Sequence, residues 1–226
     1  MRRVGRPRTM GRMTEPPVSA VVREALRLYQ RYAVEVVEAF GFCPYAERAR
    51  IEGRVTVEVS LDAGLDVERA LEVVERIGRE TSFEIGILLY PLSRADRVTF
   101  EHFVSRLREA SAAKGPVVMA LADFHPTAEL DLTRPERLTP FVRRTPHPTV
   151  QLVRRTALDH VRRKEGHGTG FVDLASLDLT KLMEQPVPEP LHTRIAAANH
   201  ERVMQEQARI TAVMADIFGD RDRCLG

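Results

Sequence analysis

Three segments of strand length, each separated from the next by an amphipathic helix, constrain this chain most. Residues 54–60, RVTVEVS, alternate apolar and polar side chains and are rich in β-branched residues, which marks a half-buried strand. Phe83 to Leu89 is a near-continuous apolar run, and Pro116 to Ala122 is another, the pattern of strands covered on both faces. Between them, Val67, Ala70, Leu71, Val74 and Ile77 recur at helical spacing, as do Phe100, Phe103, Val104, Leu107 and Ala110 before Gly115. The order strand, helix, strand, helix, strand predicts an α/β or α+β sandwich with a small sheet, its core strands at 54–60, 83–90 and 116–122.

The flanks add helices. Val22, Ala25, Leu26, Tyr29, Ala33, Val36, Val37 and Phe40 line one face of a helix over 18–40, with Gly41 placed for a left-handed C-terminal cap and Phe42-Cys43-Pro44-Tyr45 as a turn against its end. A further helix is expected over Thr149–Arg163, from Val150, Val153, Ala157, Leu158 and Val161. Gly166, Gly168 and Gly170 form a loop, Phe171–Leu174 reads as a short strand, and Pro186, Pro188 and Pro190 stiffen a linker before a last helix. The expected organisation is a disordered basic arm over 1–17, one α/β domain over 18–175, a Pro-rich linker over 176–191 and a helical extension over 192–226. The last helix carries Ile195, Ala198, Val203, Ile210, Val213, Met214 and Ile217 on its apolar side, for packing on the domain or on a second copy in a homo-oligomer.

Charge excludes some function classes. The formal net charge of +2 comes from Arg2, Arg3, Arg6, Arg8 and Arg12; without residues 1–12 there are 29 basic and 32 acidic residues, a net of −3. Five arginines without a basic fold face or stacking aromatics argue against a nucleic-acid partner. No apolar run reaches the roughly 18 residues of a membrane span. Cys43 and Cys224 lie far apart, and no apolar leader precedes Met13, so a cytoplasmic thiol protein is expected.

Four features could carry chemistry. Cys43 sits in a Cys-Pro turn at a helix end, where a neighbouring histidine or arginine pair would lower its pKa and make it a nucleophile; a buried small hydrophobe is the plain alternative. His125 follows the third apolar strand, and ligands in open sheets collect beyond the carboxyl ends of strands. Read alone, a histidine between Phe124 and Pro126 is more commonly a structural hydrogen-bonding residue. Arg143 and Arg144 open a Pro-rich turn and Arg154 lies beyond it; their planar forks suit a carboxylate or a phosphate, or else a solvated ion pair. Zinc sites need paired ligands at short spacing, and the histidines are scattered singly, so no metal site is expected. A haem needs only one axial ligand and an apolar pocket, for which His125 or Cys43 would serve.

GFCPYAERAR at 41–50, ADFHP at 122–126 and RTPHPTVQLVRR at 144–155 together resemble, in order and spacing, three signatures of the bacterial domain of unknown function 1415 family, over roughly residues 18–163. Cys43, Pro44, His125, Pro126, Arg144, Pro146, Pro148 and Arg154 match that pattern. His147 departs where an aromatic is expected, and Gln151 stands where a histidine is usual. The resemblance implies that Cys43, His125 and the arginines share a site and names no reaction. The expected function is an enzyme of unknown reaction class acting on a small anionic molecule, with Arg143, Arg144 and Arg154 holding the anion, His125 transferring a proton and Cys43 attacking or shaping the pocket. A haem-binding protein is the alternative, and a protein-interaction module the third.

Overall fold

A strong N-terminal amphipathic pattern yields helix α1 (Val18–Arg31), which buries Val21, Ala25 and Leu28. In this computed structural model, which describes residues 18–159 and 191–225, α1 runs directly into a π-helical segment, Tyr32–Glu38. There Ala39 N–H donates to Val34 O (3.1 Å) and Phe42 N–H to Val37 O (2.9 Å), five residues back. Gly41 then adopts φ 63°, the left-handed conformation that glycine takes without a Cβ clash. The residues after Pro44 are helical, not only a turn: α2 spans Ala46–Ile51.

The predicted alternation follows. Strand β1 (Val55–Val59) leads to α3 (Val67–Arg79), whose first amides are capped by Asp66, accepting from Glu68 N (2.9 Å) and Arg69 N (3.2 Å). β2 (Ile85–Leu89) leads to α4 (Arg97–Ala113), capped by Asp96 on Thr99 N (2.7 Å), and then to β3 (Met119–Phe124). β3 lies a few residues later than the sequence indicated, so His125 follows it directly. β1 pairs parallel with β2, Val57 opposite Ile87.

Residues 149–154 correct the sequence reading. The start of the expected helix over Thr149–Arg163 is instead a strand, β4 (Thr149–Arg154), followed by helical residues at 155–159, beyond which the expected segment lies outside the described residues. β4 enters the sheet antiparallel to both β2 (Ile87 opposite Gln151) and β3 (Leu121 opposite Leu152), giving the order β1-β2-β4-β3. The facing edges of β2 and β3 both need hydrogen-bond partners, and this segment satisfies both at once. Its period is two: Val150 and Leu152 are fully buried on the α3–α4 face, while Gln151 and Val153 point to the other. Three β-branched residues in six reinforce the strand. Val150 and Val153, three apart, would share one face of a helix, whereas in a strand covered on both sides each is covered on its own face, so apolar content alone could not arbitrate.

The result is an α+β sandwich. On one face Leu88, Tyr90, Met119, Val150 and Leu152 pack against α3 and α4 through Val74, Ile77, Phe100 and Leu107. On the other, Ile87 and Leu89 meet Ala25 and Tyr29 of α1. A second core joins α1 and the π segment to a 3-10 turn (Pro135–Leu138), α5 (Thr139–Val142) and the long α6 (Leu191–Leu225), which has a kink at Glu206. Val203, Ile210, Met214 and Ile217 of α6 are all buried there. The apolar stripe proposed for a homo-oligomer therefore packs within the chain. Arg31 reinforces the joint by pairing with Asp216 (2.7 Å) and Asp220 (2.9 Å). No helix among the described residues is long and apolar enough to cross a membrane. The basic arm over 1–17, the glycine loop at 166–170, Phe171–Leu174 and the Pro-rich segment up to residue 190 lie outside the described residues.

Gly86 sets how closely α3 approaches the sheet: a Cβ there would stand 3.0 Å and 3.2 Å from Ile77 side-chain carbons and 3.4 Å from Leu152 Cβ. Gly86→Val is expected to lower unfolding stability by about 1–3 kcal/mol through overpacking, read from urea denaturation.

Candidate functional site

Because β2 and β3 are both antiparallel to β4, they point the same way, and β1 with them. Their carboxyl ends share one edge of the sheet with the amino end of β4. That edge brings together Tyr90, His125 and the turn 144–148, which are distant in sequence.

His125 is placed where expected but is fully engaged. It is 6% exposed, and its ring packs 5.9 Å from Phe100. Nε2–H donates to Ala95 O (3.1 Å), while Nδ1 accepts from Thr127 N–H (3.3 Å) and faces Thr127 Oγ1 (2.9 Å). These partners dictate the Nε2–H tautomer. Burial pushes its pKa below the ordinary histidine value, and the Ala95 carbonyl only partly opposes this. The imidazole thus latches the β3 end to the loop before α4. To bind haem iron through Nε2 it would have to surrender the Ala95 bond.

The turn after Arg144 is buried from Thr145 to Thr149. Thr145 and Thr149 hydroxyls both donate to His147 O (2.7 Å each). His147 is 4% exposed, and its Nε2 is the buried side-chain atom without a hydrogen-bond partner among the described residues. Burial, then the nearby Arg221 charge, push its pKa down to about 4, against the opposing pull of Glu24.

Arg143 and Arg144 diverge. Arg144 donates from Nε to Pro126 O (2.7 Å) and lies over the Phe218 ring. Arg143 lies 5.5 Å over the Phe124 ring, on the α1 side of the sheet, with the Asp123 carboxylate the main opposing charge acting on it. Asp123 itself is bonded to Arg108 (2.9 Å). The Arg143 side chain makes no hydrogen bond or ion pair among the described residues, and desolvation lowers its pKa from the ordinary arginine value.

Cys43 falls in the same neighbourhood. The Tyr45 and Ala46 amides at the start of α2 approach its sulfur, but burial outweighs them and raises the thiol pKa. Its charge would raise the pKa of both Tyr29 and Tyr32, and Tyr32 is also within reach of the Arg143 charge. Tyr32 donates to Val142 O (2.8 Å); the two tyrosine rings stand 6.3 Å apart. Next to this group runs a thinly covered strip of the sheet, where half-buried Ala120, Ala122, Gln151 and Val153 face the α1 side, Gln151 opposite Ala122. Sequence reasoning used Tyr29 only as a helix-face residue and missed Tyr32; two tyrosines one helical turn apart, followed by a cysteine at the helix end, were the available signal.

Arg154 does not join this group. It lies five residues along β4, roughly 17 Å away. There it caps the end of α3, donating to Phe83 O (2.8 Å), Gly78 O (3.1 Å) and Glu80 O (2.7 Å). Among the described residues, Glu24, Asp220 and Cys224 are close enough to one another to ligate a metal, but Arg27 bonds both carboxylates and Arg31 bonds Asp220.

The three sequence signatures thus occupy the α2 entrance, the end of β3, and β4 with its preceding turn. The chain belongs to the DUF1415 family of proteins of unknown function. The DUF1415 match runs over residues 25–167, which includes α1 beyond Ala25 and the whole sheet and leaves out α6. No curated protein and no solved structure matches the chain.

In this DUF1415 member both buried histidines have folded pKa values below the unfolded value of about 6.5. Their contribution is therefore complete above pH 6.5 and is lost as pH falls toward the folded values, about 4 for His147. Wild type minus His147→Phe, followed by chemical denaturation from pH 7 to pH 4, should show a loss on the order of 3 kcal/mol for wild type. A flat difference would mean that His147 charges as easily in the fold as outside it.

Proposed function

We propose that this protein is an enzyme acting on a small anionic molecule, a carboxylate or phosphate, held by Arg143 over the β3–β4 strip of the sheet. One observation carries the reading: a desolvated guanidinium stacked on Phe124 without an anion or a carbonyl to bond among the described residues. Arginine stays protonated in proteins, and an unpaired, partly buried cation is costly, so the position favours a ligand that brings the opposite charge. The alanines at 120 and 122 leave room above the strands, and the Gln151 amide offers both a donor and an acceptor to the body of the ligand.

The chemistry assigned to individual residues shifts accordingly. His125 becomes a positioning residue: its backbone N–H donates to Arg143 O (3.2 Å), and its ring locks the β3 end, so it sets where the guanidinium starts. Cys43 rests as a neutral thiol, because burial raises its pKa and neither a histidine nor an arginine is among the causes acting on it. In that form it contributes a weak proton donor and shape to the pocket. Arg144 and Arg154 play no part in holding this anion.

The test is a binding screen of small carboxylates and phosphate esters against the whole chain by isothermal titration. Arg143→Gln is expected to weaken a selected ligand about 10- to 100-fold, the value of a charged hydrogen bond. Arg154→Gln should lower thermal stability while affinity stays unchanged; equal losses from both variants would return Arg154 to the site and sink the Arg143 reading. Iodoacetamide should alkylate Cys43 slowly at pH 7, and bound ligand should slow it further.

A further inference from the structure

Arg144 points away from that strip toward the end of α6, where a second group of cations gathers. The guanidinium carbons of Arg144 and Arg221 lie 5.0 Å and 5.2 Å from the centroid of the same Phe218 ring. Arg144 uses only Nε, on Pro126 O, so both of its terminal nitrogens lack a partner among the described residues. Arg221 donates from Nη1 to Pro146 O (3.0 Å) and otherwise bonds Asp222, the next residue, whose side chain is 67% exposed. Among the described residues Arg221 therefore has one solvated carboxylate and Arg144 has none. Burial and the Arg221 charge both act against the Arg144 cation. Next to Pro146 lies His147, with its unpartnered buried Nε2.

We infer that Arg144 and Arg221, which both lie over the Phe218 ring, form a second oxyanion-binding site, for the phosphate or carboxylate group of a small molecule. Two planar forks converging on one anion give paired N–H···O bonds and remove the mutual repulsion that the pair suffers alone. The site joins segments of different origin: Arg144 belongs to the turn that leads into β4, Arg221 to the last turns of α6. An anion bound between them ties α6 to the sheet, so binding stabilises the fold by mass action. It is separate from the Arg143 position, since the two adjacent side chains lie over different rings, Phe124 and Phe218.

Inorganic phosphate is the probe, with sodium chloride at matched ionic strength as the reference and acetate as the carboxylate arm. The midpoint of thermal unfolding of the full chain is expected to rise with phosphate, acetate or both beyond chloride. Arg144→Gln and Arg221→Gln should each weaken that apparent affinity at least tenfold, whereas the exposed Arg106→Gln should leave it unchanged. Arg221→Gln, near the open end of α6, carries the test if loss of the Pro126 bond unfolds Arg144→Gln. Two results overturn the inference: no oxyanion acting differently from chloride on wild type, or unchanged affinity in the Arg221 variant, which would place the ion at the Arg143 position instead.

Discussion

The insertion of β4 between β2 and β3 is the constraint on which the rest of this structure depends. Two strands pointing the same way leave facing edges of unpaired amides and carbonyls, and a single antiparallel segment closes both. Its direction puts the turn 144–148 at the carboxyl edge beside His125 and sends Arg154 to the opposite edge, onto the end of α3. One topological choice thereby divides the arginines of a single sequence motif between a structural cap and two different surroundings, the Phe124 ring and the Phe218 ring.

The turn leading into β4 is unusual in being buried throughout, and its prolines make that possible. Pro146 and Pro148 have no N–H to satisfy, so the buried backbone carries fewer donors than most sequences would bring. The two threonine hydroxyls serve the His147 carbonyl between them, and Arg221 from α6 reaches the Pro146 carbonyl. A turn so fixed is a rigid base for Arg143 and Arg144, whose side chains leave it in different directions. The cost is His147, a buried imidazole that is held neutral and whose Nε2 has no hydrogen-bond partner among the described residues.

The candidate site was legible as a list of residues and not as a geometry. Cys43, His125 and the Arg143–Arg144 pair stood out because reactive or forked side chains sat beside prolines and strand ends. Their roles were not readable, since a role depends on which atoms are already occupied. His125 has the residue type of a general acid or base, yet both ring nitrogens are committed to Ala95 and Thr127. Cys43 has the position of an activated thiol, yet burial raises its pKa. Tyr29 and Tyr32 were hidden inside an ordinary helical pattern and became site residues only when the π segment and the turn brought Cys43 beside them.

By itself the amino-acid sequence determined the class of the fold: alternating apolar runs and amphipathic faces, with Gly41 and Gly115 as punctuation, specify three strands and their helices through local hydrogen bonding and burial. It also determined where α6 buries its stripe, up to the choice of surface. Tertiary structure alone decided that residues 149–154 are a strand, because valines three apart fit one face of a helix or the two faces of a covered strand until two open strand edges demand a partner. The same pairing decided that Arg143 faces the sheet, Arg144 faces α6 and Arg154 caps a helix. Side-chain direction in a strand alternates with register, and register is set by long-range hydrogen bonds that no local pattern encodes.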